Sequence, residues 1–321
     1  MTASNQKALR FRWSLPRGRV LRRVLRDDPA QEYLTYIPTS GAADAPILVA
    51  VHGISRNAHE QAMMFAPYCE RFGVVLVVPR YTRESHSGYQ QLRRHGKGAR
   101  ADHVLEQCIA EVALLTGADA SQFKLFGYSG GAQFAHRYLM AHPHRVSKAV
   151  VVAAGWYTFP DHTERYPYGI KPSRKLPGVA FNPEHFLRVP IDVFIGEDDL
   201  SSKNLRLTER VNNQQGENRI ERAHNWVSAM QIAGLSYGVE PDINLTVVPG
   251  TDHSFTKFCK RGALVRRVFK SLFDVAIATP DKKHQAELDK LDVDAQQLFK
   301  QHELDIQEQE SAVVSSQPSQ Q

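Results

Sequence analysis

The sequence contains few cysteines and no long apolar stretch, and both absences narrow the classes of protein to consider. Its 321 residues include three cysteines, Cys69, Cys108 and Cys259, which form no CxxC pair. An odd number of scattered cysteines predicts neither a disulfide framework nor a zinc cluster, and it suits reduced thiols in the cytoplasm. No segment approaches the roughly 20 apolar residues that a membrane-spanning helix needs. We therefore expect a cytoplasmic protein without a transmembrane helix.

Motifs for export, metal binding and phosphate binding are also missing. Residues 1–20 are polar and rich in arginine, without the apolar core of a secretory signal peptide. None of the 14 histidines has HExxH spacing, and no glycine-rich stretch has the spacing of a phosphate-binding loop. The sequence therefore predicts no cofactor and no metal.

Charge is distributed unevenly along the chain, although the formal net charge is only +6. Eight lysines and arginines between Lys7 and Arg26 precede the first acidic residue, Asp27. This basic segment is either a site of peripheral contact with an anionic surface or a solvated edge strand with its loop. Nucleic acid is not an expected partner, because no aromatic interleaving and no nucleic-acid-binding motif accompanies the charge.

We predict one domain with an extension at each end, because 42% hydrophobic residues in a chain of this length supply one large core. The basic N-terminal extension covers residues 1–29, and the domain covers residues 30–279. An acidic, glutamine-rich tail covers residues 280–321.

Apolar spacing in the tail predicts one amphipathic helix. Its apolar residues are Leu288, Leu291, Ala295 and Leu298. This helix is either a partner-binding element or a solvated extension, and residues 315–321 are expected to be disordered.

Short apolar runs rich in β-branched residues alternate with amphipathic stretches along the predicted domain. The runs cover residues 47–51, 74–78, 123–126, 149–152, 191–195 and 245–248. Such runs suit strands buried on both faces of a parallel sheet with helices as crossovers. We expect helices over residues 102–115, with Asp102 as N-cap, over 219–234 and over 262–277, and an antiparallel strand over 32–37. The sequence thus predicts an α/β fold with a mostly parallel twisted sheet and helices on both faces.

Residues 157–187 interrupt this alternation between two predicted strands. The segment is rich in proline and aromatics, among them Phe159, Tyr166 and Tyr168. It follows a strand end, where the loops of such a fold gather. It is therefore either a lid or wall of a substrate pocket, or an irregular loop that packs its aromatics on the core.

The run Gly127-Tyr128-Ser129-Gly130-Gly131 places a serine between glycines where a predicted strand turns into a predicted helix. A nucleophilic serine at such an elbow has a strained backbone, and its neighbours must be small so that the strand and the helix approach closely. The helix over residues 132–141 directs its positive N-terminus at Ser129 and at any oxyanion formed there. The pattern predicts Ser129 as a nucleophile.

A serine hydroxyl needs a base that accepts its proton and a third group that orients the base. The predicted strand over residues 191–195 is followed by Glu197, Asp198 and Asp199, and the strand over 245–248 is followed by His253. These loops supply a carboxylate and an imidazole at the ends of strands. Asp252 adjoins His253 in sequence and is poorly placed to orient its ring.

With the chain order nucleophile, acid, base, these segments resemble the α/β-hydrolase superfamily of serine hydrolases over about residues 32–277. Val51-His52-Gly53-Ile54 and the glycines around Ser129 are most similar to the polyhydroxybutyrate depolymerase and feruloyl esterase branch. The resemblance implies hydrolysis of a small-molecule or polymeric carboxylic ester through an acyl-enzyme. It implies Ser129 as nucleophile and His253 as general base and then acid. The family's Gly-x-x-Asp pattern selects Asp199 to orient His253, with Asp198 as the alternative.

The tetrahedral intermediate of this reaction carries a negative charge that two backbone N–H groups should bind. Gly130, the residue after the nucleophile, supplies one of them. The turn after Val51 supplies the other, which we assign to Ile54 with Gly53 as the alternative. His52 is expected to brace this turn through hydrogen bonds.

Candidate substrate-binding residues are Tyr128, Trp156 and Tyr157, which adjoin the elbow and the start of the insertion. Ser55, Arg56 and Asn57 either contact substrate or are polar loop residues. A second hypothesis for the whole chain is a non-catalytic binding or scaffold protein that uses its charged termini on a hydrolase fold.

Overall fold

A twisted sheet forms the centre of the computed structural model, which describes residues 15–93 and 99–274 together with isolated positions 286, 290, 293, 294, 297, 300 and 301. Its strands are β1 (Val20–Val24), β2 (Glu32–Tyr36), β3 (Pro46–Val51), β4 (Val75–Pro79), β5 (Asp119–Tyr128), β6 (Val146–Val152), β7 (Ile191–Gly196) and β8 (Ile243–Val248). Their order is β1-β2-β4-β3-β5-β6-β7-β8. β1 pairs with β2 and β2 with β4 in antiparallel register, whereas the other pairs are parallel. The predicted mostly parallel sheet is confirmed.

Helices cover both faces of this sheet. They are α1 (Ala58–Phe72), α2 (Arg83–His86), α3 (Ala101–Thr116), α4 (Gly130–Ala141), α5 (Pro183–Phe186), α6 (Glu209–Gln215), α7 (Arg219–Tyr237), α8 (Phe255–Gly262) and α9 (Leu264–Phe273). Side chains of a strand alternate between its faces, so in β3 Val49 and Val51 join one core while Leu48 and Ala50 join the other. The first core also contains residues of α3, α4 and α7, and the second contains residues of α1, α8 and α9.

The edge strand β1 comes from the basic segment. Residues 20–24 pair along β2, so this part of the predicted N-terminal extension belongs to the sheet. The side chain of Arg22 is largely exposed and pairs with Glu32, which is what the edge-strand interpretation of the segment predicts.

Two helix predictions are wrong in detail. Asp102 is not the N-cap of α3, because Arg100 occupies that position and the buried Asp102 carboxylate instead accepts hydrogen bonds from Arg100 and His142. The predicted helix over 262–277 does not begin at residue 262. Ala263 has a left-handed backbone with φ 48°, which ends α8 and separates it from α9.

The insertion over residues 157–187 packs its aromatic side chains into the core. Tyr157 is fully buried against Trp226, with the two rings stacked at 4.7 Å. Tyr166 is buried as well and stacks on Phe181. This arrangement favours the packed-loop interpretation of the segment.

Several predictions lie outside the described residues. They concern residues 1–14, the apolar positions of the tail helix, the end of the helix predicted to reach residue 277, and the segment 315–321. Within residues 15–93 and 99–274, no helix has the length and apolarity required to cross a bilayer.

Candidate active site

Ser129 lies at a sharp turn between β5 and α4, at the carboxyl edge of the parallel strands. Its backbone has φ 54° and ψ −110°, a region that side chains larger than glycine rarely adopt. The turn ends the strand and presents the Ser129 side chain at the sheet edge, beside the first turn of α4. Such strain persists only where the surrounding structure imposes it, and it is common at functional sites.

Two glycines permit the close approach that imposes this turn. A Cβ atom on Gly127 would lie 2.2 Å from the carbonyl oxygen of Gly131. A Cβ atom on Gly131 would lie 1.9 Å from the carbonyl oxygen of Val51. Both distances are far below a van der Waals contact, so β3, β5 and α4 meet in this way only with glycine at the two positions.

A continuous chain of hydrogen bonds joins Ser129, His253 and Asp199. Ser129 Oγ lies 2.9 Å from His253 Nε2, and His253 Nδ1 lies 2.7 Å from Asp199 Oδ2. Because a carboxylate accepts, His253 Nδ1 carries the proton of the second bond and Nε2 is left to accept from the serine hydroxyl. The loops after β5, β7 and β8 thus bring together the three residues that the sequence nominated.

The structure also shows which of the neighbouring carboxylates contacts His253. Asp199 is 1% exposed, whereas Asp198 points to solvent. Glu197 accepts from the N–H of Gly250, and Asp252 pairs with Lys257 at 2.8 Å. Of these four carboxylates, only Asp199 contacts the His253 ring.

Arg219 is a member of the site that the sequence did not reveal. Its guanidinium is 1% exposed and lies behind Asp199, with Nη1 3.1 Å from Asp199 Oδ1. It also donates to the carbonyl oxygens of Ser201 and Lys203 at 2.7 and 2.8 Å. Arg219 begins α7, so this helix holds both the carboxylate and the loop that follows it. A single arginine at the start of a helix carries no sequence pattern that marks it as part of a site. Arg219 is recognised only by its contact with Asp199.

Ile54 and Gly130, the two residues predicted to bind the oxyanion, are close to each other. Gly130 begins α4, and a Cβ atom placed on it would lie 2.8 Å from the side chain of Ile54. The two residues are therefore in close contact across the turn after β3. Neither backbone N–H donates to a backbone carbonyl oxygen within residues 15–93 and 99–274.

His52 braces the turn that carries Ile54. It is fully buried, its Nδ1 lies 2.8 Å from the Gly53 carbonyl oxygen, and its Nε2 accepts from the N–H of Tyr81 at 3.0 Å. Tyr89 donates to the His52 carbonyl oxygen at 3.0 Å. Burial lowers the pKa of His52 to about 4, because the charged form would be desolvated and Nε2 already faces a donor.

The buried neutral imidazole predicts loss of stability in mild acid. In the unfolded chain a histidine takes up a proton near pH 6.5, whereas folded His52 does so only near pH 4. Its contribution is therefore complete above about pH 6.5 and is lost as the pH falls toward 4, with a total of about 3 kcal/mol. Burial also lowers the pKa of His136, which adds to the same trend.

Urea unfolding between pH 7.5 and 4.5 measures this effect. We expect the free energy of unfolding to decline from about pH 6.5 downward. A flat profile over this interval, or titration of the His52 ring near pH 6.5 by NMR in the folded protein, would contradict the buried neutral state.

A pocket of about 230 Å³ opens over Ser129 and His253. Its other lining residues are Gly53, Ile54, Ser55, Asn57, Glu60, Gln61, Tyr128, Asn204, Phe255 and Thr256. The Tyr128 ring stacks on His253 at 5.6 Å, so this candidate substrate-binding residue does lie in the site.

Trp156 and Tyr157, the other two candidates, do not line this pocket. Trp156 is 4% exposed and lies between the guanidinium groups of Arg137 and Arg206 at 4.3 and 5.2 Å. Tyr157 is in the core, as described above. Sequence proximity to a strand end did not separate these packed side chains from those that face the pocket.

Among the described residues, no group of three or more His, Cys, Asp or Glu side chains is arranged to hold a metal ion. The arrangement at Ser129 places a serine hydroxyl within hydrogen-bond distance of an imidazole that is held by a buried carboxylate. A serine in such a chain can act as a nucleophile, because the imidazole can accept its proton.

Solved structures of three other proteins share this architecture. The poly(3-hydroxybutyrate) depolymerase LpqC from Bordetella parapertussis has a TM-score of 0.66 and 25% identity, covering 85% of this chain and 93% of that one. Poly(aspartic acid) hydrolase-1 from Sphingomonas sp. KT-1 has a TM-score of 0.65 and 23% identity, covering 74% and 93%. An S-formylglutathione hydrolase from Agrobacterium tumefaciens has a TM-score of 0.51 and 15% identity, covering 79% and 94%. No protein-family model matches the chain, and no curated protein matches it in sequence.

Proposed function

Because this chain has the α/β-hydrolase fold, we propose that it is a serine hydrolase that cleaves a carboxylic ester through an acyl-enzyme intermediate. The observation that carries the proposal is the hydrogen-bonded chain from Ser129 through His253 to Asp199 at a strained strand-to-helix turn. A serine, an imidazole and a carboxylate in this geometry are the groups that nucleophilic acyl transfer requires.

In the first half of the reaction, Ser129 Oγ attacks the ester carbonyl carbon while His253 Nε2 accepts the hydroxyl proton. The tetrahedral intermediate then expels the alcohol, to which His253 returns that proton, and the acyl group stays on Ser129. In the second half, His253 takes a proton from water, the resulting hydroxide attacks the acyl carbon, and the acid leaves as Ser129 regains its proton.

The N–H groups of Ile54 and Gly130 bind the negative oxygen that forms in both halves. Loss of one such donor reduces the rate by about 10²- to 10³-fold in comparable hydrolases. The start of α4 adds the positive end of its dipole at the same place.

Asp199 keeps the proton of His253 on Nδ1 and stabilises the imidazolium, and Arg219 holds Asp199. The guanidinium fixes the second carboxylate oxygen and so keeps the first one directed at the ring. Arg219 acts on the reaction through Asp199 and is a positioning residue.

The dimensions of the pocket favour a short acyl group. Its volume of about 230 Å³ is below the roughly 300 Å³ at which pockets for drug-sized ligands begin. The likeness to the depolymerase from Bordetella parapertussis adds oligomers of 3-hydroxybutyrate to the substrates to be tried.

Hydrolysis of p-nitrophenyl acetate and butyrate tests the proposal. We expect turnover of both esters, and mass spectrometry of quenched reactions should find the acyl group on the peptide that contains Ser129. The corresponding p-nitroanilides, whose leaving group is poorer, serve as a comparison for ester preference. A folded protein that neither releases p-nitrophenol nor becomes acylated would instead support the non-catalytic scaffold hypothesis.

A further inference from the structure

A second groove adjoins the Ser129 pocket. It has a volume of about 410 Å³ and lies between the turn after β3, the edge strand β1 and its neighbour β2. Its lining residues are Val20, Arg22, Glu32, Tyr33, Leu34, Arg56, Asn57, Ala58, His59 and Arg80. Asn57 lines both cavities, so the two lie side by side at this residue.

Positive charge exceeds negative charge in this groove. Three arginines face one carboxylate, that of Glu32, whose two oxygens are already occupied by Arg22 and Arg80. With His59 neutral, the groove lining therefore carries a net charge of +2. A concave site lined by charge of one sign attracts ligands of the opposite sign.

Arg56 is the groove arginine nearest in sequence to the oxyanion turn, and its described hydrogen bond and ring contact are to uncharged groups, although Glu84 is near enough to act on its charge. Its Nη1 donates to the carbonyl oxygen of Tyr81, and its guanidinium lies over the Tyr89 ring at 5.3 Å. Its Nε is buried and has no hydrogen-bond partner within residues 15–93 and 99–274. A guanidinium forms strong, charge-assisted hydrogen bonds to carboxylates.

The backbone conformation of Arg56 also indicates that this position has a function. It has φ 61°, a left-handed conformation that is uncommon for a residue with a long side chain. Strain of this kind is retained at binding and catalytic sites where the surroundings impose it. Here the turn fixes Ile54 at the oxyanion position and Arg56 at the groove within two residues of each other.

The groove lining also contains apolar residues. They are Val20, Leu34 and Ala58. Apolar and cationic groups in one groove fit a chain of a few carbons that ends in a carboxylate.

We propose that this groove is a subsite for an anionic group and that the enzyme prefers esters bearing a carboxylate a few atoms from the scissile bond. Arg56 binds the carboxylate and Arg22 and Arg80 contribute their field. The inference rests on the proposed ester hydrolysis at Ser129 and adds a substrate class to it.

Matched substrate pairs test the subsite. On the acyl side, the pair is the mono-p-nitrophenyl ester of glutaric acid and the ester in which the free carboxylate is a carboxamide. On the alcohol side, the pair is the 3-hydroxybutyrate dimer as free acid and as terminal carboxamide. We expect kcat/KM to favour the carboxylate about tenfold in at least one pair, since hydrogen bonds to charged groups are worth this much or more. The preference should fall as salt is added.

The variants are Arg56→Gln and Arg22→Gln, with Arg188→Gln as the matched control. Arg188 is exposed and precedes β7, at the sheet edge opposite Ser129. We expect Arg56→Gln to abolish the preference, Arg22→Gln to reduce it, and the control to keep it. The ratio within a pair cancels any effect of Arg56→Gln on the oxyanion turn.

Two results would overturn the subsite while leaving the hydrolase proposal intact. One is hydrolysis of both pairs without preference for the carboxylate, and the other is a preference that survives Arg56→Gln. Absence of turnover for all four compounds and for simple p-nitrophenyl esters would instead reject the hydrolase proposal itself.

Discussion

Replacing Ser129 with alanine is expected to reduce ester turnover by about 10⁵- to 10⁶-fold, as removal of the nucleophile does in a serine hydrolase. The substitution deletes only Oγ, the atom that lies 2.9 Å from His253 Nε2. Alanine meets the same backbone strain as serine at φ 54°, so the fold should be retained. The variant should also lose labelling by a fluorophosphonate, which forms its covalent bond to the serine oxygen as fluoride leaves.

Ser228→Ala is the matched control for this experiment. Ser228 is an exposed residue of α7, remote from the hydrogen-bonded chain at Ser129. We expect it to leave turnover and labelling at the level of the unchanged protein, with circular dichroism and Tm confirming that both variants are folded. Turnover or labelling that persists in Ser129→Ala would assign the activity to another nucleophile and remove the basis for the proposed mechanism.

Replacing Arg219 with methionine is expected to lower both stability and turnover. The substitution leaves Asp199, which is 1% exposed, without its cationic partner. Removal of one member of a buried ion pair costs about 3–5 kcal/mol, so Tm should fall clearly. Small misplacement of a catalytic group can reduce kcat by up to about 100-fold. We expect most of the loss in kcat rather than in KM, because Arg219 does not line the pocket.

Rescue by a conservative variant separates positioning of the triad from a merely structural role. Arg219→Lys keeps a positive charge beside Asp199 and should recover part of the kcat that Arg219→Met loses. A lysine cannot reproduce all the hydrogen bonds that the guanidinium makes to Asp199, Ser201 and Lys203, so the recovery should be incomplete.

Arg222→Met supplies the structural control. Arg222 is also fully buried on α7, and it donates to the carbonyl oxygen of Gly155 at 2.7 Å and to other oxygens, none of which belongs to the triad. It should lose stability without a comparable loss of kcat. If Arg219→Met loses stability but keeps the kcat of the unchanged protein, Arg219 serves only to anchor the loop after Asp199.

The elements of the sheet could be predicted closely because their sequence signals are local. Strands buried on both faces appear as short apolar runs, and each predicted run lies in or within one residue of an observed strand. The final helix was predicted less well. The left-handed turn at Ala263 depends on packing around α8 and α9, and an alanine in sequence carries no signal for it.

In the candidate site, too, the residues with local sequence signals could be predicted and those that depend on tertiary packing could not. Ser129 could be nominated because the glycines that its turn requires adjoin it in sequence. Trp156 and Tyr157 were nominated on proximity alone, and the structure places them in packed surroundings away from the pocket. Whether an aromatic ring faces a core or a cavity depends on which elements cover it, and these are distant in sequence.

The sequence by itself determined the alternating strands and helices, the strained turn at Ser129, and the presence of a histidine and a carboxylate after later strands. These features follow from local patterns of hydrophobicity, glycine and strand ends. Only the tertiary structure decided that Asp199 rather than Asp198 contacts His253, that Arg219 lies behind it, and that Arg56 faces a groove beside Ser129. These contacts join residues from separate crossovers of the sheet, so they exist only once the β-strands are ordered and their carboxyl ends are brought to one edge.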